Sequence, residues 1–359
     1  MKVVIPGYEL NRMMKTLVKC VDKRSQSFSN VEVIWEGTEL KIRGTNGQQF
    51  CEMVMPMMGG NGEHFALDAE MLDKIAGNAG SRDVEITVDG RNCYIKANGR
   101  VRTGVMDTEI QDPVAPGADK FAVFDGELFK SVYKMVSDAV GTDESRQILT
   151  GVQMAFDGST LTMTGLDGFQ LARYSMACEK CSWTGAVTVP KVLLEMVISG
   201  IGNESVTMTV DGNRVQFETD GMRIVGTALS GQYPDVQKII PENAKTEVRV
   251  HTGEMKNALK GCDTVGKSNL VKVVVGQDGM TIRNNSEEAE YEQEIACDVN
   301  GDGLKIAFNG RYLMNILNAV AGDDMTMRFV SAVQPMVVKV EEEAYSGTRM
   351  VLPVRVNEC

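Results

Sequence analysis

The pattern of apolar and polar residues repeats three times along the chain. Residues 31–47 (VEVIWEGTELKIRGTNG) alternate apolar and polar positions on either side of a Glu-Gly pair, which predicts a strand, a turn and a second strand. Residues 152–168 and 271–285 follow the same pattern, and the three stretches begin 121 and 119 residues apart. Repeats of this length have the size of domains, so the sequence predicts three copies of one fold.

Each copy also contains two helical patterns, in which apolar residues recur at spacings of three and four. The first helix precedes the strand pair and is predicted over residues 8–21, 126–140 and 253–265. The second follows the strand pair and is predicted over residues 68–77, 190–200 and 309–322. Asp68 and Asn309 are expected to cap their helices, and Pro190 suits a first helical turn.

Further strands follow the second helix of each copy. Val-Asp-Gly occurs at 88–90 and again at 210–212, a strong signal for a hairpin. Each copy is therefore predicted to be an α+β domain of two helices on antiparallel strands. Pro, Gly and Asp cluster at 112–120 and 233–245. These clusters predict domain boundaries at 1–117, 118–242 and 243–359.

The composition favours a cytoplasmic protein. The chain has 359 residues, 43% of them hydrophobic, and eight cysteines scattered along its length, which indicates free thiols in a reducing compartment. Pro6, Glu9 and Arg12 interrupt the first residues where a signal peptide needs an apolar stretch. The sequence therefore predicts neither export nor membrane insertion.

The formal net charge of −12 opposes binding to nucleic acid as an average, because phosphate groups attract positive charge. The distribution changes this picture, since residues 9–24 hold five cations and two anions. Cations recur at helical spacing in the first helix of all three copies, which places them on one face. The residues are Arg12, Lys15 and Lys19, then Lys130 and Lys134, then Lys256 and Lys260. An ordinary solvated helix face is the alternative.

Residues 261–268 (GCDTVGKS), from Gly261 to Ser268, match the letters of a phosphate-binding loop. Such a loop needs a buried strand before it and a helix after it. Here a helical pattern precedes the match and a strand pattern follows it, so a helix end and turn is the preferred interpretation. An NTPase that uses this loop stays the enzyme alternative.

Other motifs for catalysis or metal binding are weak. Residues 298–303 (DVNGDG) begin like a calcium loop, but Asn309 stands where a bidentate glutamate is required. Cys178 and Cys181 form one CxxC pair without a second pair at metal-ligand spacing, which favours a turn with free thiols over a zinc or redox site. His64 and His251 lie in no nucleophile or metal motif. The sequence predicts no enzyme activity, no metal and no cofactor.

Four segments resemble bacterial DNA polymerase III β sliding clamps. Residues 146–172 (RQILTGVQMAFDGSTLTMTGLDGFQLA) are similar to the second-domain segment of this family, and 350–356 (MVLPVRV) to its C-terminal segment. Residues 231–241 and 312–320 also match. The resemblance extends over the whole chain and includes the threefold repeat.

This resemblance implies a non-catalytic processivity factor. Clamps of the family are head-to-tail homodimers, rings of six like domains whose helices surround duplex DNA. The expected partners are double-stranded DNA, a second copy of the chain, the polymerase III α subunit, the clamp loader, other polymerases and repair proteins. Arg24 matches a DNA-contacting position of the family and joins the seven cations above. A clamp-like accessory paralogue is the alternative within the family.

The resemblance also implies a cleft for short, partly apolar peptides of partner proteins. Carried over to this sequence, the cleft residues are Leu149, Leu166, Gly168, Phe169, Gln170, Leu171, Pro234, Lys238, Ile239, Val351, Leu352, Pro353, Val354 and Arg355. Phe169 and Gln170 stand where many members have His-Arg, so we expect aromatic packing to replace polar contacts to the peptide. Cys262 and Asp263 lie at the expected dimer edge, and residues 357–359 extend the tail.

Overall fold

The computed structural model describes residues 2–25, 27–106, 109–265, 269–277 and 279–356. Within these residues the α-helices are α1 (Gly7–Cys20), α2 (Ala69–Ala79), α3 (Gly126–Ser137), α4 (Lys191–Gly200), α5 (Thr252–Cys262) and α6 (Gly310–Ala319). Two 3-10 segments occupy Glu144–Thr150 and Val236–Lys238. All six predicted helices are present, although several end two to three residues from the predicted positions. None of the helices in the described residues is long and apolar enough to cross a membrane.

The strands of the first half are β1 (Lys2–Pro6), β2 (Asn30–Thr45), β3 (Phe50–Asp68), β4 (Asp83–Asp89), β5 (Asn92–Lys96), β6 (Arg100–Gly104), β7 (Phe121–Asp125), β8 (Gly151–Asp157), β9 (Thr160–Leu166), β10 (Gln170–Ala177), β11 (Lys180–Cys181) and β12 (Thr184–Pro190). Those of the second half are β13 (Ser205–Asp211), β14 (Arg214–Thr219), β15 (Met222–Thr227), β16 (Thr246–His251), β17 (Leu270–Val275), β18 (Met280–Asn285), β19 (Glu290–Ile295), β20 (Cys297–Asn300), β21 (Leu304–Asn309), β22 (Asp324–Phe329), β23 (Met336–Glu341) and β24 (Tyr345–Val351). The predicted α+β class is confirmed.

The first copy of the repeat differs from the prediction in one detail. The two strands predicted within residues 31–47 form one long element, β2, which pairs with β3 along its whole length. The register shifts between Trp35 and Glu36 and again between Gly37 and Glu39. Gly37 has a φ of +59°, a conformation that glycine adopts without steric cost. The predicted turn is thus present as an irregularity within β2.

Helix ends follow the capping residues in the sequence. The Asp68 carboxylate accepts a hydrogen bond from Met71 N at 2.7 Å, and the Asn309 side chain accepts one from Arg311 N at 3.0 Å. Each bond satisfies a backbone donor that the first turn leaves free. Pro190 is the N-cap of α4 and so precedes the first turn in which it was predicted. The capping predictions for Asp68 and Asn309 are confirmed.

The chain folds into two compact units. The first unit comprises Met1–Lys130, Phe156–Thr160 and Cys178–Ser230. It contains a four-stranded sheet in the order β1-β4-β5-β6 and a seven-stranded sheet in the order β11-β7-β13-β14-β15-β3-β2. Leu10, Met13 and Leu17 of α1 are fully buried in its core. The apolar stripe of α1 therefore supplies core, which leaves its cationic face outside.

The second unit comprises Ser131–Ala155, Leu161–Ala177 and Gly231–Cys359. It contains a four-stranded sheet in the order β19-β18-β17-β21 and a longer sheet in which β8, β9, β10, β24, β23, β22, β16 and β20 follow one another. β24 lies between β10 and β23 and pairs antiparallel with both. The C-terminal strand is thus held on both sides. The three domain ranges inferred from the repeat stay a prediction.

Candidate functional site

Three of the predicted cleft residues belong to a buried apolar cluster of the second unit. Leu149, Leu166 and Leu171 are buried together. Four further residues complete the buried cluster, and two half-buried residues pack against it: Tyr233, Val236, Val337 and Met350, with Ile148 and Ile240. Three distant parts of the sequence therefore meet in one buried apolar cluster. The apolar surface named below is this cluster together with exposed apolar residues of the same segments and of the C-terminal tail: Phe169, Ile239, Leu352 and Val354.

A tight turn between β9 and β10 forms one side of this surface. Asp167 Oδ1 accepts hydrogen bonds from Phe169 N at 2.7 Å and from Gln170 N at 2.8 Å. Gly168 has a φ of +98°, where a side chain would be strained, and an added Cβ would lie 2.8 Å from Arg146 NH1. The turn leaves the Phe169 side chain outside, and the residue is 58% exposed.

The C-terminal tail forms the adjacent side. Val351 is fully buried opposite Gln170 in the β10–β24 pair. Leu352 N then donates to Phe169 O at 2.8 Å, and Val354 N donates to Ala307 O at 2.8 Å. Leu352 is 37% exposed and Val354 is 40% exposed. Backbone bonds therefore fix the tail while its apolar side chains face outward.

The 3-10 segment Val236–Lys238 contributes a third side. Tyr233 anchors it, because its hydroxyl donates to Thr164 O at 3.2 Å and burial raises the pKa of its phenol. Ile239 is 44% exposed, while the exposed Lys238 Nζ lies 2.9 Å from Asp235 Oδ2. Pro234 and Arg355 are exposed and Pro353 is half-buried. A surface with aliphatic walls and a few charges suits a short, partly apolar peptide.

Gln170 is the buried member among the polar residues of the predicted cleft. It is 4% exposed, and its amide donates to the Asp138 carbonyl and to the Asp167 carboxylate. The sequence also missed residues of the apolar cluster, chiefly Tyr233, Val337 and Met350. Tyr233 and Met350 lie within the segments that carry the resemblance, which is a usable signal. No sequence signal marks Val337 as a cleft residue, because an apolar residue in a predicted strand indicates only that it is buried.

The cations of α1 lie on the outer side of the first unit. Arg12 Nε is 2.9 Å from Glu9 Oε2, and Lys19 Nζ donates to the Glu195 carbonyl at 3.2 Å. Lys15 is exposed, as is Arg24 just beyond the helix. The predicted cationic face is therefore present on this helix.

The later helices present weaker cationic faces. In the first unit, Lys130 is half-buried and its Nζ donates to the Gly202 carbonyl at 3.0 Å. In the second unit, Lys134 and Lys260 are exposed and Lys256 is half-buried. Lys130 therefore bonds within the protein and is less available to an outside ligand, which helical spacing does not reveal.

Two sheet edges carry opposite charges, which sequence reasoning missed. β6 is the last strand of its sheet in the described part of the first unit, and it exposes Arg100 and Arg102. β19 is the last strand of its sheet in the described part of the second unit, and it exposes Glu290, Glu292 and Glu294. In each strand the charged residues alternate with half-buried ones, so they share one face.

The motifs for other chemistry lack the required surroundings. α5 ends at Cys262 and β17 begins at Leu270, so a helix precedes the GCDTVGKS stretch and a strand follows it, the reverse of a phosphate-binding loop. Gly266, Lys267 and Ser268 of that stretch lie outside the described residues, as do the tail residues 357–359. Within the described ranges, no cluster of three or more His, Cys, Asp or Glu could hold a metal ion.

The two cysteines of the CxxC pair are free thiols. Cys178 and Cys181 are both half-buried. Burial, followed by the neighbouring Cys181, raises the pKa of the Cys178 thiol to about 12. The Cys181 thiol donates to the Trp183 carbonyl at 3.2 Å. Because the thiolate is the reactive form, these surroundings disfavour reaction at Cys178.

Two family models match the chain. The central domain of the DNA polymerase III beta subunit matches residues 124–235, and the C-terminal domain of that subunit matches residues 237–355. A beta sliding clamp of Staphylococcus epidermidis is 28% identical, over 97% of this chain and 97% of that protein. A beta sliding clamp of Staphylococcus aureus is 29% identical over 64% of this chain, and the match spans 62% of that relative's length.

Solved structures show the same fold. A DNA polymerase III beta subunit of Thermotoga maritima superposes with a TM-score of 0.91 at 20% identity, over 99% of both chains. A sliding clamp of Bacillus subtilis gives a TM-score of 0.85 at 22% identity, again over 99% of both chains. At these identities the likeness establishes the architecture.

Proposed function

Because the chain belongs to the DNA polymerase III beta subunit family, we propose that it is a sliding clamp, a non-catalytic processivity factor for a replicative polymerase. The match to both the central and the C-terminal family models is the observation that carries this proposal. The whole-length relative from Staphylococcus epidermidis supports it. A cytoplasmic location accords with this role and with the free cysteines of the described chain.

The working form is a head-to-tail homodimeric ring of six domains, which the repeat divides at 1–117, 118–242 and 243–359. Two sheet edges that no further strand covers in the described residues support this arrangement, because the exposed arginines of β6 complement the exposed glutamates of β19. Edge strands also present unpaired backbone groups to a second chain. Pairing β6 of one copy with β19 of the other closes a dimer through two identical junctions.

Duplex DNA is the ligand of the ring. The cations of α1, with Arg24 and the exposed lysines of later helices, would meet phosphate groups, which carry no sequence information. Such contacts are sensitive to salt and permit sliding. Topology rather than affinity then keeps the protein on DNA, which explains how a chain of net charge −12 serves as a DNA clamp.

Partner proteins bind at the apolar surface of the second unit. Phe169, Ile239, Leu352 and Val354 leave a large part of their apolar area exposed around the buried cluster. Peptide tails of the polymerase III α subunit, the clamp loader and repair proteins are the expected occupants. Tethering raises the effective concentration of a polymerase at the primer end without any chemistry by the clamp.

The decisive experiment loads the protein onto a nicked circular DNA with a clamp loader and then linearises the DNA. A ring stays on the circle and is lost from the cut ends within minutes, as gel filtration of the labelled protein would show. Linear DNA with its ends blocked by bound protein is the control, and it should retain the ring. Equal retention on open linear DNA contradicts the proposal.

A clamp-like paralogue that binds partners without serving the main polymerase differs in one measurable way. A replicative clamp increases the length of product that the polymerase makes in one binding event. A paralogue loads onto the same circle without this increase. Primer extension in the presence of excess competitor DNA separates the two.

A further inference from the structure

Three polar residues of the second unit meet beneath the rim of the apolar surface. Asp138 is the first residue after α3, Gln170 begins β10 and Arg349 lies in β24. Arg349 donates to both carboxylate oxygens of Asp138, at 2.8 and 3.2 Å. Gln170 Nε2 donates to the Asp138 backbone carbonyl at 2.8 Å. One residue is therefore held by β10 through its backbone and by β24 through its side chain.

Burial makes this arrangement unusual. Arg349 is 1% exposed and Gln170 is 4% exposed, so neither reaches a bound partner directly. The Asp138 side chain is 29% exposed, so only the Arg349 charge loses nearly all of its hydration. That loss offsets much of the attraction between the two charges, so the pair gains little stability over apolar side chains of the same volume. A two-pronged contact between guanidinium and carboxylate does impose a direction, since both bonds must form together. The pair therefore constrains geometry more than it adds stability.

Further hydrogen bonds connect Gln170 to the turn that holds Phe169 and to the C-terminal tail. Gln170 Nε2 also donates to Asp167 Oδ2 at 3.1 Å. The other oxygen of Asp167 accepts a hydrogen bond from Phe169 N at 2.7 Å. Phe169 O in turn accepts one from Leu352 N at 2.8 Å. An unbroken series of hydrogen bonds thus joins the end of α3 to the turn and the tail that border the apolar surface.

A helix supports the series from one side. Asn315 of α6 donates to Gln170 Oε1 at 3.5 Å, so the Gln170 amide is bonded at both its oxygen and its nitrogen. Burial, and then the nearby charge of Asp167, raise the pKa of Tyr312 on the same helix. Through its bonds to Asp138, Asp167 and Asn315, the Gln170 side chain is fixed from several directions at once.

We propose that Asp138, Gln170 and Arg349 are positioning residues for partner binding, which hold the Phe169 turn and the Leu352 tail in the arrangement that accepts an apolar peptide. This inference rests on the proposed function of the cleft. It adds that peptide affinity depends on groups that the peptide never touches. Preorganisation of this kind strengthens binding by lowering the ordering cost at the moment of association.

The test uses the full-length protein and a fluorescein-labelled peptide that copies the C-terminal tail of the polymerase III α subunit. Arg349→Met removes the two-pronged contact while filling the space, and Asp138 is exposed enough to regain hydration. We expect the dissociation constant from fluorescence anisotropy to rise at least about tenfold. Arg173→Met is the matched control, since Arg173 is a half-buried arginine on β10, and it should bind like the wild type.

Hydrogen exchange distinguishes positioning from general loss of structure. In Arg349→Met the Leu352 amide, whose acceptor is Phe169 O, should exchange at least about tenfold faster, while amides of β16 and β22 keep wild-type rates. Gln170→Leu should also weaken peptide binding and speed exchange of the Leu352 amide. If Arg349→Met does not fold, Gln170→Leu alone tests the positioning role. Folded variants that bind and exchange like the wild type would overturn the inference.

Failure of the proposed function has a separate signature. A truncation after Val351 removes the tail beyond β24 and should abolish peptide binding in an otherwise wild-type protein. If the wild type does not bind, or if the truncated protein binds equally well, the cleft itself is wrongly assigned. If the truncation abolishes binding while Arg349→Met and Gln170→Leu have no effect, only the positioning role is rejected.

Discussion

Neighbouring residues of the turn between β9 and β10 have opposite roles. Phe169 is 58% exposed, whereas Gln170 is 4% exposed and bonds to Asp138 and Asp167. Phe169 lies in the turn, whereas Gln170 begins β10 and its side chain bonds to groups inside the protein. The expectation that aromatic packing replaces polar contacts here therefore concerns Phe169, while Gln170 belongs to the interior.

Replacing Phe169 by alanine should weaken binding of a polymerase tail peptide about tenfold, which corresponds to about 1.4 kcal/mol. The physical reason is the loss of a large aromatic contact at the border of the apolar surface. Fluorescence anisotropy with the labelled peptide measures the change. Val333→Ala is the control, because Val333 is 73% exposed outside the predicted cleft. An unchanged dissociation constant for Phe169→Ala would remove this residue from the site.

At the scale of elements, α1 has a buried apolar face and an exposed cationic face. Met13, Met14 and Leu17 are fully buried, while Lys15 and Lys19 are exposed. The buried face fixes the helix in its unit, so the cations are presented from a rigid support. Lys130 of α3 shows that helical spacing alone is insufficient, because this lysine is half-buried and its Nζ donates to the Gly202 carbonyl.

Substituting Lys15 and Lys19 by glutamine should reduce the salt dependence of DNA binding. Each lost phosphate contact lowers the slope of log K against log salt by about 0.9. Titrations of duplex DNA between about 50 and 200 mM salt measure this slope. Lys339→Gln, an exposed lysine on β23, serves as the control and should leave the slope unchanged. A double variant with the wild-type slope would exclude α1 from the DNA interface.

At the scale of the whole molecule, the two charged edges bear on assembly. β6 exposes Arg100 and Arg102, and β19 exposes three glutamates at alternating positions. Like charges placed opposite each other across paired strands are destabilising, and opposite charges are favourable. In the proposed dimer, charge complementarity therefore favours pairing of β6 with β19 over pairing of either edge with itself. Such a preference specifies head-to-tail pairing.

Charge reversal on either edge should convert the dimer to monomers. One variant carries Arg100→Glu with Arg102→Glu, and a second carries Glu290→Arg with Glu294→Arg. Each alone opposes like charges at both junctions, whereas an equimolar mixture restores opposite charges at both and should form dimers again. Sedimentation velocity distinguishes these states, with Lys180→Glu on β11 as the control. Variants that stay dimeric when unmixed would contradict the assignment of these edges.

The sequence by itself determined the helices and the repeat, while the cleft stays a prediction from the resemblance. Periodicity predicted all six helices because amphipathic spacing directly reflects which face is buried. Capping residues such as Asp68 and Asn309 bond within one helical turn, so their role can be predicted from the adjacent sequence. The resemblance supplied Leu149, Leu166 and Leu171, which the structure brings together, although the DNA contacts and peptide contacts stay predictions.

Only the tertiary structure decided which residues of the predicted cleft are buried and which are exposed. Arg349 reads in the sequence as one more charged residue near the C-terminus, yet it is 1% exposed and bound to Asp138, 211 positions away. Contacts over such distances depend on strand order and register, here Arg349 opposite Ala172 in the β10–β24 pair. Neither local propensity nor hydrophobic periodicity encodes that pairing, because both describe neighbours along the chain and not neighbours in space.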